Sequence, residues 1–333
     1  MRIATYNVEW FNSLFDDDGT LLANGTWSSR QDVTKGEQTA ALGIVFTALD
    51  ADAIMVIEAP DTNRQRNGVL ALERFAEHFE LRARRALMGF TNDTQQEIAL
   101  LYDPDLITPR HDPQDMPDAP RFDTEFAIDL DIDAAPETVS FSKPPLEVAL
   151  QTASGADICL IGVHAKSKAP HGARTPQEVM RLSIANRRKQ LAQCIWLRKR
   201  VVQHLHAGDP LIVLGDFNDG PGLDEYEKLF GRSSVEIVLG NGTDALFDPN
   251  ARAALTQKIG AAPTSSRFYL HEENRYLQAL LDYIMVSPQI LEMAPKWRIW
   301  HPFEDAGCFH VPELREALLT ASDHFPVTLD LTL

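Results

Sequence analysis

Cysteine is scarce in this chain. Cys159, Cys194 and Cys308 are spread through 333 residues without metal-type spacing, which leaves no disulfide framework and no cysteine cluster for zinc. Cys159 lies in the apolar run "DICLIGV" and reads as a small core residue. Long hydrophobic runs are also missing, since no stretch approaches the roughly 20 uninterrupted apolar residues of a membrane helix. "MRIATYNVEWF" reads as a first strand of the fold, and no signal peptide is evident. These absences point to a reduced, cytoplasmic enzyme without a membrane anchor or an evident protein partner. The sequons at Asn24, Asn92 and Asn241 then have no consequence.

Positive charge is short as well. There are 31 basic and 48 acidic residues, a net charge of −17. Such a surface repels a phosphate backbone unless basic residues or bound cations cluster locally. This argues against generic tight binding to duplex DNA and leaves room for a nuclease with a local metal site. Apolar residues, by contrast, are plentiful at 44%, enough for a sizeable core.

Apolar or alternating runs at 2–8, 53–58, 97–102, 126–132, 146–150, 157–163, 211–215, 280–286 and 324–332 have the lengths of strands. Helical periodicity marks 37–49, 69–78 and, most clearly, 175–206. In the last, Ile184, Leu191, Ile195, Val202 and Leu205 form an apolar stripe, with Arg187, Lys189, Lys199 and Arg200 expected on a solvated face. "DDDG" at 16–19 lacks the glutamate and register of a calcium loop and reads as a solvated turn. No linker splits the chain, so residues 1–333 are read as one domain of packed sheets with helices outside.

Strand after strand ends on a polar group. "IATYNVEW" carries Asn7, "DAIMVIEAPD" Glu58, and "CLIGVHAKSK" His164, Lys166 and Lys168. "LIVLGDFND" carries Asp216 and Asn218, "LLDYIMVS" Asp282, and "SDHFPV" Asp323 and His324. A polar group beside an apolar strand is costly without partners, so the recurrence points to one shared site. Carboxylate and amide oxygens suit a hard cation such as Mg²⁺, with Mn²⁺ as a substitute. A histidine held by a carboxylate suits charge building on a phosphoryl group, and a further acid can activate water. The remaining histidines, His301 among them, fit no ligand spacing and read as surface or capping residues.

In order and wording, "TYNVEWF", "MVIEAPD", "VHAKSK", "LGDFND", "LDYIMVS" and "SDHFPV" resemble the motifs of the endonuclease/exonuclease/phosphatase superfamily, the DNase I-like fold, from residue 3 to 327. The resemblance implies an α/β four-layer sandwich, with two mixed β-sheets face to face and helices outside. It also implies a metal-dependent phosphoesterase site at one edge. Carried over, Glu58 is the principal metal ligand, with Asn7, Asp216 and Asp323 beside it. Asp216 activates water, Asn218 orients the phosphate, and Asp282 orients the catalytic His324. His164 contacts the phosphate, and Lys166, Lys168 and Asn92 are candidates for the same task. Gln95 and Gln96 stand where relatives often carry an Arg-Gly pair.

The leading expectation is a phosphodiesterase or nuclease acting on nucleic acid. The alternative keeps the chemistry and changes the substrate to a phosphorylated lipid headgroup or small metabolite, because fold does not fix substrate. A catalytically dead binding relative would have lost Glu58, Asp216 or His324, and all three are present.

Overall fold

Two apolar runs show how the layers arise. In β2 (Ala53–Ala59), Ala53, Met55 and Ile57 join one buried cluster while Ile54 and Val56 join another. In β10 (Leu211–Asp216), Ile212 and Leu214 join the cluster that holds Met55, whereas Leu211 and Val213 face a third. Strand side chains alternate between faces, so a run that is apolar throughout needs cover on both sides. The computed structural model, which describes residues 1–130, 137–170, 172–220, 231–256, 262–270 and 274–332, provides that cover with two sheets packed face to face.

The first sheet has the order β14 (Lys296–Ile299), β15 (Val327–Asp330), β1 (Arg2–Asn7), β2, β4 (Glu97–Tyr102) and β3 (Arg85–Met88). The second runs β13 (Asp282–Val286), β10, β9 (Asp157–His164), β8 (Leu146–Thr152) and β5 (Ile107–His111). Both are mixed: β1 and β2 are parallel, as are β9 and β10, and the other pairs are antiparallel. Gly162 of β9 sits where the sheets meet, since a Cβ there would lie 2.4 Å from the Met55 sulfur. Helices α1 (Lys35–Leu49), α2 (Gly68–His78) and Pro312–Ala321 cover the outer face of the first sheet. Helix α3 (Pro176–Ala207) covers the second. The result is helix, sheet, sheet, helix, the four-layer sandwich expected.

Helix α3 starts where its residues dictate. Thr175 and Glu178 form a capping box, Pro176 occupies the first turn, and Gly208 closes the helix in the left-handed conformation. Its buried face differs from the expected one. Cys194, Leu197 and Val201 occupy the centre of the core, while Ile184, Ile195, Val202 and Leu205 are only half-buried. Arg187 and Arg200, expected in solvent, are each 1% exposed. Their partners explain the correction. Arg200 pairs with Glu147 and donates to the carbonyls of Gln114 at 2.8 Å and Ala119 at 2.6 Å. Arg187 meets Asp219 at 3.3 Å. A guanidinium can be buried when a buried carboxylate pairs with it in this way.

The expected strand at 126–132 is shorter, β6 (Phe126–Ile128), hairpinned with β7 (Glu137–Val139), and positions 131–132 lie outside the described residues. A second hairpin, β11 (Ser266–Leu270) with β12 (Arg275–Ala279), stands beside the segment that carries His324, through a bridge from Ser266. His301 is a cap, but a buried one. Its Nδ1 accepts from the backbone N–H groups of Phe303 at 3.2 Å and Glu304 at 3.1 Å.

Candidate active site

Strand register brings the polar ends together. Asp216, the last residue of β10, pairs with His164 at the end of β9 on one side and with Asp282 at the start of β13 on the other. Gly215 makes this possible. It has φ +138°, and a Cβ there would lie 2.0 Å from the Val163 carbonyl oxygen, so a side chain just before Asp216 would collide with the neighbouring strand. In the facing sheet, Asn7 ends β1 opposite Ile57. Glu58 follows at a register shift between Ile57 and Ala59, with φ 63°. This bulge turns the carboxylate out of the strand's alternation. Asn218, also left-handed at φ 49°, folds back onto Asp216.

The contacts are dense. Asp216 Oδ2 accepts from Asn7 Nδ2 at 2.9 Å and Asn218 Nδ2 at 3.0 Å, and its Oδ1 accepts the Asn218 backbone N–H at 2.7 Å. His324 Nδ1 meets Asp282 Oδ2 at 2.8 Å, and Ser265 donates its hydroxyl to the same oxygen at 2.8 Å. The other ring nitrogen, Nε2, lies 4.0 Å from both Asp216 and Asp323. His164 Nε2 lies 3.7 Å from Asp216 and 4.0 Å from Glu58. Asp216, Asp282 and His324 offer atoms within 4.8 Å of one another, but Asp282 and His324 are already committed to each other.

Charge follows geometry. Burial pushes the Asp216 carboxyl up to about 7; the charge on His324 opposes the rise and Asp282 adds to it. Burial works against charge on His324, yet Asp282 and Asp216 outweigh it and hold the ring well above the usual imidazole range. His164 goes the other way, pushed well below that range by burial and then by Lys143. Two histidines in one pocket are thus pushed in opposite directions.

Asn7, Glu58, His164, Lys166, Lys168, Asp216, Asn218, Asp323 and His324 all line one cavity of about 920 Å³, and Asp282 stands behind His324. Asn92 is directed elsewhere: it donates to Glu97 at 2.6 Å and to the Gln96 carbonyl at 3.1 Å, fixing its own loop. That loop delivers Gln96, whose amide donates to Glu58 Oε2 at 2.6 Å. Lys168 lines the cavity but meets Asp219 at 2.5 Å, alongside Arg187. Sequence reasoning passed over Lys143. Its ammonium lies 3.4 Å from His164 Nε2, with no carboxylate within 4.0 Å among the described residues. The only signal in the sequence was a lone lysine before Pro144 and Pro145, just ahead of β8.

The profile described as "Endonuclease/Exonuclease/phosphatase family" matches residues 4–324. No curated protein sequence matches the chain. Among solved structures it is similar to truncated TDP2 from Caenorhabditis elegans, with 12% identity and a TM-score of 0.51 over 100% of this chain and 97% of that one. It is similar also to the 3′ phosphatase NExo from Neisseria bound to a product DNA hairpin, with 15% identity and a TM-score of 0.52 over 100% of both chains. A third is an endonuclease/exonuclease/phosphatase family protein from Bacteroides thetaiotaomicron, with 14% identity and a TM-score of 0.50 over 99% and 96%. At these identities the likeness speaks for the fold.

Proposed function

Because the chain belongs to the endonuclease/exonuclease/phosphatase family, we propose that it is a divalent-metal-dependent phosphodiesterase that cleaves nucleic acid in the cavity between Glu58, Asp216 and His324. Residues 1–333 act as one domain in this reading. A pair of oxygens carries it. Asn7 Oδ1 and Asp323 Oδ1 are buried at the cavity without a hydrogen-bond partner among the described residues. Buried acceptors left unmatched are costly, and a hard cation is the partner that oxygens of this kind accept. The donor set fits such an ion: Glu58, Asn7 and Asp323 would hold it, with Asp216 adjacent. When bound, the cation supplies Lewis-acid polarisation of a phosphoryl oxygen.

The chain's own residues do the rest. Asp216, with a pKa near working pH and fixed by Asn7 and Asn218, takes the proton of the attacking water. His324, held by Asp282, presents a charged N–H to the phosphoryl oxygens. Lys143 and Lys166 add positive charge from the second sheet's side of the cavity. Trp10 and Gln96 hold Glu58 in place through its Oε2.

Two of the three activities in the family's name, endonuclease and exonuclease, act on nucleic acid, and this supports nucleic acid as the substrate. The net charge of −17 favours the second reading, a small phosphorylated metabolite or lipid headgroup. No described helix is long and apolar enough to cross a membrane. A substrate panel with Mg²⁺ or Mn²⁺ decides between them: single-stranded and duplex DNA, RNA, inositol phosphates and bis(p-nitrophenyl) phosphate. Cleavage of oligonucleotides in preference to inositol phosphates is expected. Turnover of inositol phosphates with nucleic acid left intact would transfer the function to the second reading.

A further inference from the structure

Trp10 occupies a position that its residue type does not suit. It is left-handed, at φ 54° and ψ 39°, where a bulky side chain is a rare outlier and glycine or asparagine is at ease. Strain of this kind is kept where the surroundings over-determine it, and it gathers at functional sites. Here the backbone is fixed from both sides. The Trp10 N–H donates to Glu58 Oε2 at 3.2 Å, and its carbonyl accepts the Ser13 N–H at 2.9 Å. The turn that follows buries Phe11 and Leu14. The backbone accounts for the conformation but not for the indole. The residue is 42% exposed and lines the cavity, and its ring stacks on no other ring among the described residues.

Another part of the cavity lining is also apolar. Phe268 of β11 lies edge-on to the His324 ring, with centroids 5.5 Å apart, and Leu277, Ala279 and Leu281 extend that surface. Trp10 thus lines the cavity beside Glu58, and Phe268 lines it beside His324. Cations are few. Of Lys143, Lys166, Lys168 and Arg187, the last two are held by Asp219, which is fully buried. A polyphosphorylated polyol brings many charges and no flat face, so it matches neither apolar surface. A nucleotide unit brings one phosphodiester charge and a π-face.

We propose that Trp10 is a stacking platform for an unpaired nucleobase next to the scissile phosphate, which makes single-stranded nucleic acid the substrate class of this site. The proposal rests on the phosphodiesterase reading above. In a duplex both faces of each base are already stacked, so Trp10 would have to displace a neighbour; in a single strand it has only to meet one. Stacking of this kind tolerates any base. It also acts on the bound ground state as much as on the transition state, so it governs KM more than kcat.

The test compares an oligothymidylate with an oligomer of equal length and charge built from abasic units, both with Mg²⁺. Trp10→Ala is expected to lower the ratio of kcat/KM for the oligothymidylate to that for the abasic oligomer by 10- to 100-fold, about 1.4–2.8 kcal/mol, chiefly through KM. Trp10→Phe, which keeps a ring, should restore that ratio to within about threefold of the wild-type value. Equal loss on both oligomers, or no loss on either, would overturn the platform and leave the phosphodiesterase reading standing. If the wild type cleaved neither oligomer yet hydrolysed inositol phosphates, that reading would fail, and the platform with it.

Discussion

His324→Ala is expected to lower kcat by about 10²–10³, the ~2.7–4 kcal/mol that an oriented electrostatic stabiliser supplies. The expectation follows from the ring's setting. Nδ1 is tied to Asp282 at 2.8 Å, so the imidazole cannot turn, and Nε2 faces the space between Asp216 and Asp323. A charged N–H fixed there needs no reorganisation when negative charge builds on a phosphoryl oxygen. The fold should survive, because Asp282 keeps the hydroxyl bond from Ser265 at 2.8 Å. Asp282→Asn, which leaves the ring in place and removes the charge behind it, should cost less than His324→Ala. Steady-state turnover with circular dichroism of each variant checks both statements. Near-wild-type kcat in His324→Ala would remove the dyad from the mechanism.

Lys143→Ala should lower kcat/KM by about 10- to 10²-fold, since a charge-assisted hydrogen bond in a partly dry site is worth ~1.5–3 kcal/mol. The stability of the same variant should hold steady or rise. An ammonium can make three hydrogen bonds, and among the described residues Lys143 has one, to His164 at 3.4 Å. Burial pushes its pKa down, with Glu58 and Asp216 opposing. A half-buried cation so poorly matched is a cost to the fold, and an anionic substrate in the cavity would offset it. Activity and stability therefore move in different directions, which a purely structural lysine would not do. Kinetics alongside chemical denaturation separate the cases. A loss of stability with unchanged kcat/KM would contradict the assignment, whereas Lys143→Arg should recover part of the activity.

Strands covered on both faces announce themselves, because a run such as Leu211–Leu214 is apolar at every position and no helix period competes. The polar groups at their ends are legible by recurrence: one acid beside such a run can be a cap or a satisfied core polar, whereas strand after strand ending on one points to a shared site. Other features had no local signature. β11 and β12 mix aromatic and charged residues, and β14 has only four residues, so neither alternation nor an apolar run marks them. Arg187 and Arg200 looked like solvated charges because the acids that bury them lie 32 and 53 residues away. Lys168 was read as a substrate contact, and its bond to Asp219 depends on the fold of a loop 51 residues distant. Lys143 belongs to no strand, and only the packing of its loop beside β9 reveals it. Pairing across the sandwich is long-range, and sequence pattern reports short-range order.

Mn²⁺ binding, followed through the electron paramagnetic resonance signal of the free ion, tests the central claim that Glu58, Asn7 and Asp323 form a cation site in the catalytic cavity. The wild type should bind Mn²⁺, and Mg²⁺ should compete for it. Glu58→Gln and Asp323→Asn should each weaken binding by more than about tenfold, as expected when a hard carboxylate ligand is removed. Turnover should fall in parallel and vanish after thorough chelation. Mn²⁺ binding unchanged in Glu58→Gln, or full turnover in chelated wild-type protein, would contradict the account.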